Sequence, residues 1–229
     1  MGDKMQKLYT EVENILKKVD FDAIWKGFAP CEFILNDVAK PNEEDVELLA
    51  MRVVHEMFHT FQTKQGESRK INDLAMSAYP HDIDNYHLKI AENHYLIKAF
   101  GENSEVDFEQ FAVLRRARKR IIGDAINQEL LVETFEGMAE YAGMMALRQI
   151  SHQKFMGQLE KQLVYARNPE NLCSMWRLSR HVGSILCMTL KALGMDFYHK
   201  LSEPRPLFDL IKWKPTIIDE CFGKIQYDK

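Results

Sequence analysis

The chain has 229 residues, 46% of them hydrophobic, and a formal net charge of -4. That is enough apolar material for one sizeable domain over 1–229, with no biased tail to mark a second. The acidic balance gives no reason to expect nucleic acid or an anionic membrane as partner, and no apolar run approaches the roughly 20 residues of a membrane span.

In chain order the pattern reads helix, one short strand, then helices to the end. The charged start, Met1 to Lys7, leads into Leu8, Val12, Ile15, Leu16 and Val19 at helical spacing over 4–19, which is not the pattern of a signal peptide. Residues 21–30 read as a loop anchored by Trp25 and Phe28, and Cys31-Glu32-Phe33-Ile34-Leu35-Asn36 is the best strand candidate. A helix follows from about Glu43 to Gln65, then a polar connection over 64–84 broken by Gly66 and Pro80, of the kind that edges a cleft. Further helices are expected at 85–100, 105–122, 127–149, 151–165 and 169–193, with short ones at 195–201 and 207–212. Arg115, Arg116, Arg118, Lys119 and Arg120 form the densest basic run, read as a solvated helix face. Cys31, Cys173, Cys187 and Cys221 lack Cys-x-x-Cys spacing, so free thiols and a cytoplasmic setting are expected.

One stretch names a chemistry. His55-Glu56-Met57-Phe58-His59 lies in an apolar run free of Gly and Pro, and two histidines four apart share one helical face, so both imidazoles can reach one ion. Glu56 points to the side where a metal-bound water would sit. Apolar residues occupy most of the other sides of this helix, and imidazoles in such a place must be paired or metal-bound.

Catalytic zinc needs a third protein ligand. Glu129, Glu133, Glu136 and Glu140 lie at intervals of four, three and four on the 127–149 helix, within a stripe about 60° wide. Like charges at that spacing repel, no Lys or Arg is interleaved, and Gly137 and Gly143 would admit a neighbouring helix closely. A cation facing the stripe would remove the repulsion. Helix phase alone does not choose among Glu133, Glu136 and Glu140.

The segment Phe135-Glu136-Gly137-Met138-Ala139-Glu140-Tyr141 resembles the Asn-Glu-Gly-Phe-Ala-Glu-Tyr stretch of the zinc aminopeptidases. With His55-Glu56-Met57-Phe58-His59 and Gln62, the chain is similar to the gluzincin metallopeptidases, which carry two His and one Glu on zinc. The resemblance implies a mainly α, zincin-like fold (α+β with a minimal sheet), Zn2+ as cofactor, His55, His59 and Glu136 as ligands, Glu56 as general base, and a peptide or small amide as substrate. Phe135 stands where the aminopeptidases carry Asn, and the longer spacing from His59 to Glu136 leaves room for two inserted helices. Bacterial proteins with a similar motif helix, a mid-chain Leu-Glu helix and a late Glu-Gly-x-Ala-Glu-Tyr-x-Gly helix, matched by Glu92 and by Glu136 to Gly143, support fold and metal only.

For the oxyanion the candidate donors are His181, Arg180 and Tyr141. Glu133, Glu140 and Glu92 are candidates for orienting a ligand imidazole, while His87 and His94 read as surface residues. Two rival readings stand beside the peptidase: a zincin-like metal-binding module without turnover, and a di-metal carboxylate bundle built on Glu56-Met57-Phe58-His59. The second needs another Glu-x-x-His, and none occurs.

Overall fold

The computed structural model describes residues 2–33, 45–199 and 201–211. Ten α-helices are described: α1 (Gly2–Leu16), α2 (Phe21–Ile24), α3 (Val46–Lys64), α4 (Asp73–Ser77), α5 (Ile83–Glu102), α6 (Glu105–Ile122), α7 (Ala125–Ile150), α8 (His152–Arg167), α9 (Met175–Ala192) and α10 (Leu207–Leu210). A 3-10 turn, Pro169–Ser174, leads into α9, started by the Asn168 side chain accepting from Glu170 N. The mainly helical expectation holds. Among the described residues there is no strand, and no helix is long and apolar enough to cross a membrane.

Cys31 to Phe33, the described part of the expected strand, is irregular chain, with the Phe33 ring stacked on Tyr9 at 4.9 Å; residues 34–36 lie outside the described residues. A lone segment without a pairing partner has no ladder to join, which is why apolar content over 31–33 did not become a strand. The expected loops at 21–30 and 64–84 hold the short helices α2 and α4, started by Asp20 and Asn72 as side-chain caps. The expected helix at 195–201 is absent from its described residues. Gly194 at φ +68 ends α9, and Phe197 is instead drawn into a buried aromatic cluster with Trp25 and Tyr141.

Helix α7 is the axis of the molecule. Its 26 residues span about 39 Å, and Gly137 to Leu147 are buried on every side. It packs chiefly on α3 and α9. Two glycine positions set those approaches: a Cβ on Gly183 would stand 2.0 Å from the Glu133 carbonyl oxygen, and one on Gly143 would stand 2.8 Å from that of Met51. Close backbone approach there brings α3 antiparallel to α7, pairing Met51 with Gly143, His55 with Glu140, His59 with Glu136 and Gln62 with Phe135. Helices α5 and α6 form a hairpin turned at Asn103, the one described non-glycine residue at positive φ. That hairpin meets the N-terminal half of α7.

Candidate metal centre

The acidic stripe on α7 divides by height along the helix. Its lower half faces cations. Glu129 and Glu133, with Glu92 from α5, are fully buried against Lys89, Arg115 and Arg118. Lys89 Nζ is 2.6 Å from Glu129 and 3.0 Å from Glu92; Arg115 reaches Glu92 at 2.6 Å and Glu133 at 2.7 Å; Arg118 reaches Glu92 at 2.6 Å and Glu129 at 2.5 Å. Three carboxylates meet three cations, so their formal charges balance. Tyr79 completes it, its hydroxyl donating to Glu129 at 2.7 Å and accepting from Arg118 at 2.7 Å.

This network corrects three expectations. The basic run is not wholly a solvated face, because Arg115 and Arg118 point inward while Lys119 and Arg120 are exposed. The stripe is not left unneutralised, since its cations come from α5 and α6 rather than from α7. Glu92 and Glu133 orient no imidazole: both are consumed by the network, which also removes Glu133 as a ligand. Burial would raise the Glu92 carboxyl, but Arg115, Arg118 and Lys89 hold it at about 2.

The upper half of the stripe faces the histidines. His55 Nε2 and His59 Nε2 lie 3.1 Å apart, and the Glu136 carboxylate faces both, 3.5 Å from His55 Nε2 and 3.7 Å from His59 Nε2. In a tetrahedral zinc site with bonds of about 2.0–2.1 Å, ligand atoms stand roughly 3.3 Å apart, close to the separation of the two Nε2 atoms, while the Glu136 carboxylate presents Oε2 to His55 and Oε1 to His59. Side-chain exposures of 5%, 18% and 17% for His55, His59 and Glu136 leave the donors largely desolvated yet reachable from one side.

The far nitrogens of both rings face acceptors, and that of His59 is hydrogen-bonded. His59 Nδ1 meets Gln62 Oε1 at 2.8 Å, and Gln62 Nε2 donates to the Phe135 carbonyl at 3.0 Å. The carbonyl fixes the amide's orientation, the amide oxygen can only accept, and so His59 Nδ1 donates and its Nε2 turns a lone pair inward. His55 Nδ1 faces Glu140 Oε2 at 3.4 Å. The inward lone pair of His59 Nε2 meets His55 Nε2 at 3.1 Å, a contact that needs a proton or a cation between the two nitrogens.

The electrostatics follow from this packing. Burial would lower the His55 pKa, but Glu136 and Glu140 on its two nitrogens raise it above the ordinary value. Burial would raise Glu136, yet the two imidazoles hold it far below the usual carboxylate range. Glu140 is held at about 2, against burial, by His55 and Arg180. Its carboxylate joins four helices: Oε2 accepts from Arg180 Nε at 2.8 Å on α9, Oε1 accepts from Gln162 Nε2 at 2.8 Å on α8, and α3 contributes His55. Among the alternatives that helix phase left open, Glu136 meets the histidine donors and Glu140 supports one from behind.

The remaining expected residues separate. Glu56 is exposed on α3, and its carboxylate makes no hydrogen bond or ion pair among the described residues. His181 is not among the converging groups: Nδ1 faces Glu140 Oε1 at 4.0 Å, the ring packs on Tyr165, and burial pushes its pKa down to about 4. The Tyr141 hydroxyl meets Tyr198 inside the aromatic cluster, and Arg180 is committed to Glu140, so an oxyanion role for any of the three draws no support from the geometry. His87 and His94 are exposed, as expected of surface residues. Sequence reasoning missed the work of Gln62, Gln162 and Arg180; only Gln62 carried a signal, standing three residues after His59 on the same face.

Comparison of the chain with protein families, curated proteins and solved structures returns no match.

Proposed function

We propose that this chain is a zinc-dependent hydrolase of amide bonds, a metallopeptidase of zincin-like design with His55, His59 and Glu136 as its ligands. The observation that carries the reading is the meeting of two imidazole Nε2 atoms and one carboxylate at mutual distances of 3.1 to 3.7 Å, with both outer nitrogens already facing acceptors. Zinc, when bound, supplies Lewis-acid polarisation of a carbonyl and brings the pKa of water down towards about 7.

The chain's own residues supply the rest. Glu56 follows His55 directly and is uncommitted, so it is the group to take a proton from water and pass it to the leaving amine nitrogen. Glu136, held ionised, contributes the negative charge that a cation between two neutral imidazoles needs. The Phe135 ring, stacked on His59 at 4.6 Å, keeps that imidazole from rotating and covers one of its faces.

A second reading is favoured by one observation. Peptide-cleaving sites commonly hold an extended substrate along a strand edge, and the described residues offer none. A zincin-like metal-binding module without turnover fits that feature. Glu56→Gln separates the two: the peptidase reading expects wild type to cleave members of a broad peptide library and the variant to bind zinc equally well while losing at least a hundredfold in rate, within the typical general-base contribution of roughly 100- to 10,000-fold. Equal rates would remove Glu56 from the mechanism, and zinc binding without cleavage by wild type would favour the module.

A further inference from the structure

Gln62 is fully buried, sits on α3 one turn beyond His59, and spends both ends of its amide on two different helices. Its oxygen takes the His59 Nδ1 proton at 2.8 Å, and its nitrogen donates at 3.0 Å to the main-chain carbonyl of Phe135, the residue immediately before Glu136. The Phe135 ring lies over the His59 imidazole with 18° between planes and 4.6 Å between centroids. His59 is thus held at its edge by Gln62 and across its face by Phe135. The same amide ties the backbone that carries Glu136 to the helix that carries both histidines.

We propose that Gln62 is the positioning residue of this site, the group that fixes the His59 tautomer and spaces His59 against Glu136. The proposal rests on the metal reading above, and its chemistry differs from that of the other imidazole. His55 is backed by an anionic carboxylate that itself answers to Arg180, whereas His59 is backed by a neutral amide answering to a carbonyl. A neutral acceptor leaves His59 a neutral ligand, and an amide rather than a carboxylate is required because only an amide can also donate to Phe135. Neither Asn, one methylene shorter, nor Leu can span both partners.

The test has two arms. In the metal-free wild-type protein, long-range 15N–1H correlation spectra read the histidine tautomers directly; the proposal expects His59 protonated at Nδ1 with an unprotonated Nε2, and a proton fixed on Nε2 instead overturns it whether or not zinc ever binds. In Gln62→Leu, zinc affinity should fall 10- to 100-fold, the usual consequence of removing such a partner, with a changed visible spectrum of the cobalt-substituted protein. Unchanged zinc affinity and an unchanged cobalt spectrum in a folded Gln62→Leu would also overturn it. Should that variant not fold, the tautomer reading on wild type decides alone. Failure of wild type to bind zinc, with the expected tautomer present, would sink the metal reading and leave Gln62 as an orienting residue only.

Discussion

Glu140 shows how much one side chain does at this site. Its carboxylate faces His55 Nδ1 at 3.4 Å and is itself held by Arg180 and Gln162, so His55 is backed by an anion that cannot swing away. Replacing it by Gln keeps shape and some hydrogen bonding but removes the charge. Zinc affinity of Glu140→Gln, measured by competition with a chelating dye, should fall about 10- to 100-fold with circular dichroism unchanged. An affinity equal to wild type would mean that the contact orients nothing. At this scale the pairing of His55 with His59 on one face was readable from the sequence, because helical spacing fixes which side chains share a face, whereas Glu136 was singled out only by the family resemblance. Spacing does not choose among Glu133, Glu136 and Glu140, because all three lie within one narrow stripe and only the partners from α3, α5 and α6 tell them apart.

Among the elements, α7 decides the geometry by how closely its neighbours approach. Gly183 has no room for a methyl group: the added carbon would meet the Glu133 carbonyl oxygen at 2.0 Å, backbone against backbone. Gly183→Ala should therefore push α9 from α7 and cost about 1–3 kcal/mol, seen as a lower midpoint in urea unfolding. Because Arg180 rides on α9, zinc affinity should fall with it; a variant as stable as wild type would show that the crossing relaxes freely. Most of the longer helices were legible to within a few residues, since amphipathic spacing is a local signal, but the helix expected from 169 begins at Met175, after the 3-10 turn Pro169–Ser174. The 195–201 segment was misread because the pull on Phe197 comes from Trp25 and Tyr141, which are distant in sequence. The strand expectation rested on composition alone, and composition does not supply a pairing partner.

For the molecule as a whole, the buried six-charge network is the main electrostatic commitment. It joins the α5–α6 hairpin to the axis helix one turn below Glu136, and none of it was visible as a unit in the sequence, where its members lie on three separate helices. Two of its three carboxylates, Glu92 and Glu129, set the sign of its acid response. Glu92 is held at about 2 in the folded protein, below its ordinary 4.5, so the stabilisation it provides is complete above about pH 4.5 and is lost as pH falls towards 2. Glu129 shifts in the same direction, whereas burial raises the Glu133 carboxyl, so Glu133 contributes with the opposite sign. Melting temperature should stay level from neutral pH down to about 5 and drop steeply below 4.5; a flat profile down to pH 2.5 would show that the network contributes no net stability.

The central claim is that one metal ion is held jointly by α3 and α7. The most direct measurement is the zinc stoichiometry and affinity of the purified protein by calorimetric titration, beside His59→Ala and Glu136→Ala. The account predicts one ion per wild-type chain and at least a hundredfold weaker binding in both variants. Full-affinity stoichiometric binding in either variant, or none in wild type, would contradict it.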